Sequence, residues 1–273
     1  MEPSVAAAQA GKHVVCEKPI EVNLERTDAI IQACDDNDVK LCAIFPMRFQ
    51  TITNALKKAV DAGRFGRLTL GDCYTKWWRS QEYYDTGGWR GTWKLDGGGA
   101  CMNQSIHGID LLQWIMGPAD TLYAFTDCLA HERIEVEDTA VAAIRYKNGA
   151  LGVIECATSV HSGEDRRIEI HGDRGTAIIT DDKILKWQFD EEQPEDAELL
   201  EKYGPDSEAD SGTASDPMAF SHATHREQIG DFLSALDQGV APGVDGREGR
   251  KSIEIIVALY KSARTGQPVK LPL

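Results

Sequence analysis

The sequence predicts a two-part fold, in which a short α/β segment with a parallel sheet is followed by a larger, mainly antiparallel α+β domain. Two observations favour this fold class. Helical and strand-like patterns alternate over residues 4–45, which is the rhythm of a parallel α/β sheet. Six strand-like runs then follow one another over residues 121–189 without a helical pattern between them, which is typical of an antiparallel sheet.

The α/β segment is predicted to contain two helices and two strands. Ser4–Gly11 is predicted as a short alanine-rich helix and His13–Cys16 as a strand. Asn23 is a suitable N-cap for a helix over Leu24–Asp36, and Lys40–Phe45 is a second apolar strand. The segment therefore holds only about two strands of a doubly wound sheet.

The second domain is predicted to span residues 49–273, after a first domain of residues 1–48. It opens with a helix over Ile52–Ala62 and a strand that follows it. A glycine- and aromatic-rich loop, Tyr83–Gly98, then leads into an apolar helix over Ala100–Met116, which ends at a Gly-Pro pair as helix stop chemistry requires.

The rest of the second domain is predicted as strands, an acidic loop and two helices. The Asn148-Gly149 pair is a hairpin signal between two strands. Asp190–Asp216 is acidic and shows little apolar periodicity, and it is predicted as a solvated excursion, that is, a surface loop exposed to solvent. Helices over Phe220–Leu236 and Gly246–Ser262 close the chain, with the option that the last one packs back on the first domain. The six strand-like runs are Thr121–Thr126, Thr139–Tyr146, Leu151–Thr158, Arg167–His171, Thr176–Thr180 and Ile184–Phe189.

Composition excludes several classes of partner. A net charge of −15 disfavours binding to nucleic acid and to anionic membranes. No run approaches the roughly 18 apolar residues that cross a bilayer, and no basic-then-apolar export pattern opens the chain, so we expect no membrane and a cytoplasmic location. The seven cysteines lack a C-x-x-C spacing and are expected to be small buried hydrophobes, without a metal or redox role.

Two short stretches carry the candidate chemistry. Glu17–Pro19 follows the first predicted strand, and the carboxyl ends of parallel strands are where open sheets bind ligands. Asn103, His107 and Asp110 share one face of the predicted helix that begins after three glycines. From spacing alone, Lys18 is more often a solvated charge and His107 more often a structural residue, so both alternatives stay open.

The first stretch, AGKHVVCEKP, resembles a signature of the Gfo/Idh/MocA family of nicotinamide-dependent sugar and cyclitol oxidoreductases. Glu17, Lys18 and Pro19 match the family's Glu-Lys-Pro motif one for one. In the family the lysine reaches both the substrate hydroxyl and the nicotinamide ribose, and its bond to proline is commonly cis. The resemblance implies that Glu17, Lys18 and Pro19 contact the cofactor, that Lys18 is catalytic, and that the Lys18–Pro19 bond is cis.

The second stretch, GGGACMNQSIHGID, resembles the family pattern of three glycines followed by Asp or Asn, then His, then Asp. Many members carry Asp where this chain has Asn103, a variant typical of an Asn-Gln subgroup. The resemblance implies that Asn103 and Asp110 contact the substrate. Because histidine titrates near neutrality, His107 is the predicted base that removes a hydroxyl proton, while the ammonium of Lys18 stabilises the developing alkoxide.

Aromatic and arginine side chains crowd the segment between the two motifs. Aromatic planes stack on sugar faces, and arginine forks bind carboxylates or vicinal hydroxyls. Trp89, Arg90 and Trp93 are therefore candidate substrate contacts, with Arg48 as a weaker one, although packing of the rings on the core is an equally weighted alternative. The full cluster is Trp77, Trp78, Arg79, Tyr83, Tyr84, Trp89, Arg90 and Trp93.

Three further histidines are weaker candidates for site residues. His161 and His225 fall near segments that line the pocket in relatives, but a surface position is the more frequent outcome for each. His222 and His225 have helical spacing, yet no carboxylate at matching spacing completes a metal site. We therefore predict no metal.

These features predict an NAD(P)-dependent oxidoreductase that acts on a hydroxyl or carbonyl of a sugar, sugar acid or cyclitol, with NAD or NADP left open. A non-catalytic sugar-binding or scaffolding protein that has lost the cofactor site is the alternative. Strands Thr139–Tyr146 and Leu151–Thr158 carry apolar residues on both faces. We therefore expect a homo-oligomer, either a dimer or a tetramer, formed through the antiparallel sheet.

The cofactor fingerprint of the resembled family is not found in the chain. The opening strand and the G-x-G-x-x-G turn, which hold the adenosine half of the dinucleotide, have no counterpart in these 273 residues. A start codon placed too late, an expressed fragment and a natural truncation are the competing explanations, of which the first two are favoured. We expect the chain by itself to bind a nicotinamide dinucleotide poorly and an upstream-extended version to bind it.

Overall fold

The computed structural model describes residues 1–207 and 222–273. Its strands form two sheets, a two-stranded parallel sheet near the N-terminus and an eight-stranded, mainly antiparallel sheet. This architecture confirms the predicted fold class.

The bounds of the elements refer to the described residues. The helices are α1 (Glu2–Gln9), α2 (Leu24–Asp36), α3 (Thr51–Asp61), α4 (Gln81–Asp85), α5 (Ile106–Met116), α6 (Pro194–Tyr203), α7 (Ala223–Gln238) and α8 (Gly246–Thr265). The strands are β1 (Val14–Cys16), β2 (Leu41–Ala43), β3 (Leu68–Lys76), β4 (Ala119–Asp127), β5 (Thr139–Tyr146), β6 (Leu151–Ala157), β7 (Arg167–Gly172), β8 (Gly175–Ile179), β9 (Ile184–Phe189) and β10 (Val269–Lys270). None of these helices is long and apolar enough to cross a membrane.

The parallel sheet is built from β1 and β2, with Val14 opposite Leu41. Helix α2 begins at Asn23, whose side-chain oxygen accepts a hydrogen bond from the backbone N–H of Arg26 at 2.9 Å. The apolar face of α2 buries Ile30 completely. Helix α8 also packs on α2 and β2, so the end of the chain covers the sheet formed by its beginning.

The large sheet has the strand order β10-β4-β5-β6-β3-β7-β8-β9. Strand β3 lies in its middle, parallel to β6 and antiparallel to β7. The chain continues from β3 into Trp77, whose backbone N–H donates to the carbonyl of Ala157 at 2.9 Å. This pairing directs the aromatic segment after β3 along the end of β6.

Helix α5 lies directly on β3. A Cβ atom at Gly108 of α5 would lie 2.5 Å from Sγ of Cys73 on β3, and one at Gly71 of β3 would lie 2.5 Å from Sδ of Met116. The lack of side chains at these two positions permits the close approach of helix and strand. These contacts determine the distance between α5 and β3.

The opposite face of the large sheet exposes apolar side chains. Along β5, Ala140 and Ala142 are buried against the helices, whereas Val141 points outward and is 45% exposed. Phe125 of β4, which pairs with Val141, is 67% exposed, and Leu151 of β6 is 46% exposed. The two faces of this sheet therefore both carry apolar residues.

The predicted helix Ala100–Met116 differs from the structure at its beginning. Residues Ala100–Ser105 form a π-helical turn, and the regular helix α5 begins only at Ile106. Single π turns inside helices are often found at functional sites. The cause of this irregularity lies in the contacts of the glycine triplet, described below.

The predicted solvated excursion Asp190–Asp216 is wrong in part, because Pro194–Tyr203 form helix α6. Asp196 in its first turn binds Arg64 from the segment after α3, with an Oδ2–Nη2 distance of 2.6 Å. An acidic composition could not reveal this partner. Residues 208–216 of the predicted excursion lie outside the described residues, as do the first two residues of the predicted helix Phe220–Leu236, which is observed as α7.

Candidate active site

A cavity of about 470 Å³ lies between the carboxyl ends of β1 and β2 on one side and the end of β3 with the π turn on the other. Lys18 and His107, the two predicted catalytic residues, both line it. The complete lining is Glu17, Lys18, Pro46, Met47, Trp77, Arg79, Tyr83, Asn103, Gln104, His107, His222 and His225.

Lys18 is tied to the π turn of the other domain. The Lys18–Pro19 peptide bond is cis, as predicted, and Nζ of Lys18 donates to the backbone carbonyl of Asn103 at 2.6 Å. Burial lowers the pKa of Lys18, which the carboxylates of Glu17 and Asp96 partly counteract. The ammonium group is therefore fixed at the wall of the cavity that His107 also lines.

His107 lies in the first turn of α5 and is only 9% exposed. Phe45 packs edge-on against its ring, with centroids 5.9 Å apart. Burial, together with the positive charges of Lys18 and Arg166, holds the pKa of His107 well below its ordinary value of 6.5. Nδ1 of this ring is buried and has no hydrogen-bond partner in the described part of the chain. The imidazole is therefore neutral near neutral pH and able to accept a proton.

Asn103 connects Lys18 to a buried carboxylate. Its Nδ2 donates to Oδ1 of Asp96 at 2.7 Å, while Oδ2 of Asp96 accepts the backbone N–H of Gly91 at 3.0 Å. Burial raises the pKa of Asp96, which is 5% exposed. Asp96 was missed by the sequence analysis, although its position directly before the glycine triplet could have drawn attention to it.

The glycine triplet is held by Glu137, another residue that the sequence analysis missed. The buried carboxylate of Glu137 accepts the backbone N–H groups of Gly99 and Cys101 at 3.0 and 2.9 Å and the hydroxyl of Tyr260 at 2.9 Å. A Cβ atom at Gly99 would lie 1.8 Å from the carbonyl oxygen of Glu137, so only glycine fits there. These contacts bend the chain into the π turn that presents the Asn103 carbonyl to Lys18.

Arg48 and Asp110, both predicted substrate contacts, bind each other. Nη2 of Arg48 lies 2.7 Å from Oδ1 of Asp110 and its Nε lies 2.8 Å from Oδ2, while Nη1 reaches Glu248 at 3.1 Å. The side chains of the pair are 3% and 1% exposed, and neither residue lines the cavity. Their contact with substrate stays a prediction. The pair joins the segment after β2 to α5 and α8.

The remaining aromatic candidates lie beside the cavity. Trp89 lines a second cavity of about 270 Å³, which Lys18 and Asn103 also line. The guanidinium of Arg90 lies over the rings of Tyr83 and Trp89, and Trp93 packs edge-on against Tyr260. Neither Arg90 nor Trp93 lines either cavity. Their predicted role in substrate binding is not tested by this geometry.

Other members of the aromatic cluster line the main cavity instead. Trp77, Arg79 and Tyr83 do so, in place of the predicted substrate contacts Arg90 and Trp93 of the same cluster. His225, for which a surface position was favoured, also lines the cavity, with Nε2 3.9 Å from Oε1 of Glu17. His161 is exposed, and its ring contacts Trp78 at a centroid distance of 5.0 Å.

A group of possible metal ligands in the described residues lies outside the cavity lining. Asp72, Glu169 and His171 on β3 and β7 place donor atoms within 4.8 Å of one another, at the outward face of the large sheet. Arg167 forms an ion pair with Glu169 in the same place. The prediction that the protein uses no metal stays a prediction.

Sequence profiles identify the family of the chain. Residues 57–271 match the profile of the Gfo/Idh/MocA oxidoreductase family's C-terminal alpha/beta domain, and residues 1–45 match the profile of its NAD-binding Rossmann fold. The chain belongs to the Gfo/Idh/MocA oxidoreductase family. This membership confirms the predicted resemblance, the enzyme class of NAD(P)-dependent oxidoreductases, and NAD or NADP as the cofactor.

Several Gfo/Idh/MocA proteins are similar to the chain over its whole length. The WlbA dehydrogenase from Bordetella pertussis, solved with NADH and UDP-GlcNAcA, is 36% identical with a TM-score of 0.88; the match covers 100% of this chain and 75% of that one. The WlbA dehydrogenase from Chromobacterium violaceum, solved with the same ligands, is 34% identical with a TM-score of 0.87, covering 100% and 74%. Myo-inositol 2-dehydrogenase from Thermotoga maritima is 28% identical, covering 98% of this chain and 75% of that protein.

The cavity has a wall that fits the nicotinamide end of the family's cofactor. Glu17, Lys18 and Pro19 follow the carboxyl end of β1, and Pro46 and Met47 follow that of β2. Parallel sheets bind dinucleotides at this edge. Glu17, Lys18, Pro46 and Met47 line the main cavity, whereas Pro19 lines the smaller cavity of about 270 Å³. These residues would hold the nicotinamide end of the cofactor, and the buried apolar surface of Pro46 and Met47 was missed by the sequence analysis.

Proposed function

We propose that this chain carries the catalytic residues of a dehydrogenase that oxidises a hydroxyl group of an acidic, nucleotide-linked sugar. The observation that carries the proposal is that Lys18 and His107, which lie 89 positions apart in the sequence (107 − 18), line one cavity of about 470 Å³. A cavity of this size can hold a sugar ring beside a nicotinamide.

Lys18 and His107 have different roles in the removal of the hydroxyl proton. Oxidation of an alcohol removes the O–H proton while a hydride leaves the adjacent carbon. His107 is neutral near neutral pH, because its pKa is lowered, and takes that proton. The ammonium of Lys18 donates to the same oxygen and stabilises the negative charge that develops on it. NAD or NADP, when bound, supplies the hydride acceptor.

Asn103 and Asp96 act by positioning Lys18. The Asn103 carbonyl accepts from Nζ of Lys18, and the Asn103 side chain is anchored on Asp96. The negative charge of Asp96 also favours the ammonium form of Lys18. The cavity wall therefore presents a charged donor in one orientation before substrate arrives, which reduces the cost of ordering it during the reaction.

The similarity to the two WlbA dehydrogenases supports the substrate class. Both were solved with UDP-GlcNAcA, a nucleotide-linked sugar acid, and both exceed the inositol dehydrogenase in identity to this chain. Within the predicted range of sugars, sugar acids and cyclitols, we therefore propose a nucleotide-linked sugar acid.

The test compares the chain and, where the gene continues in frame upstream of Met1, a version extended by those codons. NADH formation from NAD⁺ and UDP-GlcNAcA is followed by absorbance. We expect Lys18→Met and His107→Asn to lower kcat/KM by at least about 100-fold, the usual contribution of a positioned acid or base. Lys12→Met, a change of an exposed lysine in the same segment, is the matched control and should retain activity.

Two results would contradict this proposal. Lys18→Met retaining kcat/KM within a few-fold of the parent would remove the lysine from the mechanism. Absence of turnover and of NADH binding in both versions would favour the non-catalytic sugar-binding alternative.

We also propose that a second copy of the chain covers the outward face of the large sheet. Phe125, Val141 and Leu151 expose apolar surface there on three neighbouring strands. Exposed apolar patches of this kind are typical of interfaces between proteins. Such pairing would give the predicted dimer, or a tetramer if a second interface forms.

A further inference from the structure

We propose that the imidazole ring of His131 is doubly protonated and that it positions one wall of the main cavity. Trp77, Arg79 and Tyr83 form this wall. His131 itself lies outside the lining of the cavity, in the loop between β4 and β5. Its expected effect on sugar binding rests on the proposed function, whereas its protonation does not.

The carboxylate of Asp138, directly before β5, is filled with hydrogen-bond donors. Oδ1 accepts the backbone N–H of Leu129 at 2.9 Å and the hydroxyl of Thr139 at 2.8 Å. Oδ2 accepts the backbone N–H groups of Ala130 and His131 at 2.8 and 3.0 Å. Burial raises the pKa of this carboxyl, but the hydrogen bonds that it accepts outweigh burial and leave the pKa below its ordinary value of 3.8. Near neutral pH, Asp138 is therefore ionised and has no proton to donate.

Both ring nitrogens of His131 face oxygen acceptors. Nδ1 lies 2.8 Å from Oδ2 of Asp138, and Nε2 lies 2.8 Å from the backbone carbonyl oxygen of Arg79. A carbonyl oxygen can only accept, and so can the ionised carboxylate. A neutral imidazole has a single N–H, so the lone pair of its other nitrogen would face an oxygen at hydrogen-bond distance. His131 therefore donates from both nitrogens as an imidazolium, and the carboxylate of Asp138 balances its charge.

The surroundings of the ring keep water away from this pair. His131 is 7% exposed and Asp138 is fully buried. Tyr84 packs edge-on against the His131 ring with centroids 4.8 Å apart, and the ring of Trp78 lies 6.2 Å away. Interactions between buried charges are only weakly screened by salt. The position of the ring is consequently fixed by its two hydrogen bonds and by aromatic packing.

The bonds of His131 close a ring of four buried residues. The backbone N–H of Arg79 donates to the carbonyl of Thr158 at 2.9 Å, and the backbone N–H of Thr158 donates to the carbonyl of Asp138 at 2.9 Å. His131 then joins Asp138 back to Arg79. These residues come from the segment after β3, the end of β6, the residue before β5 and the loop after β4. The loop after β4 is thereby tied to the segment that carries the cavity wall.

This closed arrangement holds the wall before a ligand arrives. The hydroxyl of Tyr84, the neighbour of Tyr83, lies 2.7 Å from the hydroxyl of Thr158 and attaches the same segment to β6 a second time. Groups that are already fixed lose less freedom when a ligand binds, so they contribute more to affinity. Loss of the two bonds of His131 should therefore loosen the segment around Arg79 and weaken the binding of a sugar in the cavity.

The first test detects the ring protons directly. Nitrogen-15 NMR of the chain with labelled histidine distinguishes a ring nitrogen that carries a proton from one that does not. At neutral pH we expect protons on both ring nitrogens of His131, with the signals assigned by their loss in His131→Phe. His13 is the internal comparison, because its Nδ1 accepts the backbone N–H of Lys40 at 3.0 Å and should carry no proton. A neutral His131 ring would overturn the proposal, whether or not any variant folds.

The second test measures the positioning of the wall. His131→Phe keeps a ring against Tyr84 and removes both N–H groups. We expect the backbone N–H of Arg79 to exchange with solvent at least about tenfold faster in this variant, and the affinity for UDP-GlcNAcA in titration calorimetry to fall about tenfold. His13→Gln, a change of an exposed histidine, is the matched control and should alter neither value. Circular dichroism shows whether each variant has folded.

The outcomes separate this proposal from the proposed function. Unchanged exchange at Arg79 in a folded His131→Phe variant, or unchanged affinity for UDP-GlcNAcA despite faster exchange, would overturn the positioning role. Absence of UDP-GlcNAcA binding by the parent chain would contradict the proposed substrate class. The ring protons of His131 and the exchange at Arg79 would still decide the proposal in that case, because neither depends on a ligand.

Discussion

At the scale of single residues, the protonation states of His107 and Lys18 determine the pH range in which the proposed mechanism can operate. The pKa of His107 lies well below 6.5 because the ring is buried and near cations, and the pKa of Lys18 lies below 10.5 because its ammonium is buried. In the proposed mechanism, His107 acts as the base when it is neutral, and Lys18 stabilises the developing charge when it is protonated. The two requirements overlap across neutral pH.

We predict a bell-shaped dependence of kcat/KM on pH for the proposed reaction. As the pH falls through the lowered pKa of His107, the base becomes protonated and the rate declines, at a pH below 6.5. As the pH rises, Lys18 loses its proton below 10.5 and the rate declines again. Initial rates with UDP-GlcNAcA across this range provide the measurement.

A neighbouring histidine allows a check on the acid limb of the pH profile, which is the decline of the rate at low pH. An electrostatic interaction with His225 contributes to the lowered pKa of His107, after burial and the charges of Lys18 and Arg166, so His225→Gln should move the acid limb toward 6.5. An acid limb centred at or above 6.5 in the parent enzyme would be inconsistent with His107 as the buried base.

Local sequence was sufficient to predict part of the site. Lys18 follows the carboxyl end of a strand in a parallel sheet, and ligands bind to open parallel sheets at that edge. The spacing of four predicted Asn103 and His107 on one helical face, although Asn103 lies in the π turn and His107 in α5. Spacing alone left the roles of Lys18 and His107 open, and the resemblance to the two family motifs is what predicted that they converge on one cavity.

The rest of the site depends on contacts between distant segments. Arg48 and Asp110 are 62 residues apart and Glu137 is 38 residues from Gly99, and no local period reports such pairs. Arg79 belongs to a cluster of aromatic and arginine residues. For each member, the local sequence is equally compatible with packing on the core and with lining the cavity. Only the packing of β3 against β6 decides which of these side chains enter the cavity.

At the scale of elements, helix α5 depends on close contact with β3. The Cβ that Gly108→Ala would introduce lies 2.5 Å from Sγ of Cys73 and 3.0 Å from Cδ of Arg166. Neither neighbour is an exposed, flexible group. The helix must therefore shift away from the strand, and His107 is the residue next to the disturbed position.

We predict that Gly108→Ala lowers the free energy of unfolding by about 1–3 kcal/mol, the usual cost of overpacking a core. Gly230→Ala is the matched control, because Gly230 lies inside α7 with nothing within 4 Å of its added Cβ. That change should raise the free energy of unfolding by about 0.5–1 kcal/mol. Urea denaturation followed by circular dichroism measures both, and a neutral Gly108→Ala would show that α5 does not rest on β3 as described.

Helix α6 illustrates how one carboxylate can determine whether an acidic segment is ordered. Asp196 binds Arg64, the indole N–H of Trp187 at 2.7 Å and the backbone N–H of Gln193 at 2.8 Å. The hydrogen bonds from Arg64 are the largest cause that lowers the pKa of Asp196 from 3.8 to about 2. The stabilisation is therefore complete above 3.8 and is lost as the pH falls through about 2.

We predict that Asp196→Asn lowers the free energy of unfolding by about 1–3 kcal/mol at neutral pH, because hydrogen bonds to a charged group are lost. The difference from the parent should shrink as the pH approaches 2. Glu195→Gln, a change at the exposed neighbouring position, should have an effect below about 0.5 kcal/mol. Equal destabilisation by Asp196→Asn at both pH values would rule out the charge of Asp196 as the cause.

At the scale of the whole molecule, the large sheet has one face covered by helices and one face with exposed apolar residues. Phe125 and Val141 are paired neighbours on that face, and Leu151 lies one strand further. In a two-fold symmetric dimer the same patch of both copies is buried at one interface. A stable dimer needs roughly 1,000 Å² or more of buried surface, which an open sheet of this width can provide.

We predict that the chain is a dimer or tetramer at micromolar concentration, and that Val141→Lys reduces it to a monomer by burying a charge in the interface. Leu233→Lys is the control, since Leu233 is 55% exposed on α7. Light scattering coupled to size-exclusion chromatography gives the mass of each variant. A monomeric parent chain at this concentration would contradict the pairing.

Helix α8 contacts both walls of the cavity, and this has a consequence for how the protein is made. Glu248 pairs with Arg48 beside β2, and Tyr260 donates to Glu137, which holds the glycine turn. Synthesis proceeds from the N-terminus, so α8, residues 246–265, leaves the ribosome after Lys18 and His107. The contacts of α8 with Arg48 and Glu137 therefore form only after both of these side chains have been made, and they complete the supports of the cavity late in folding.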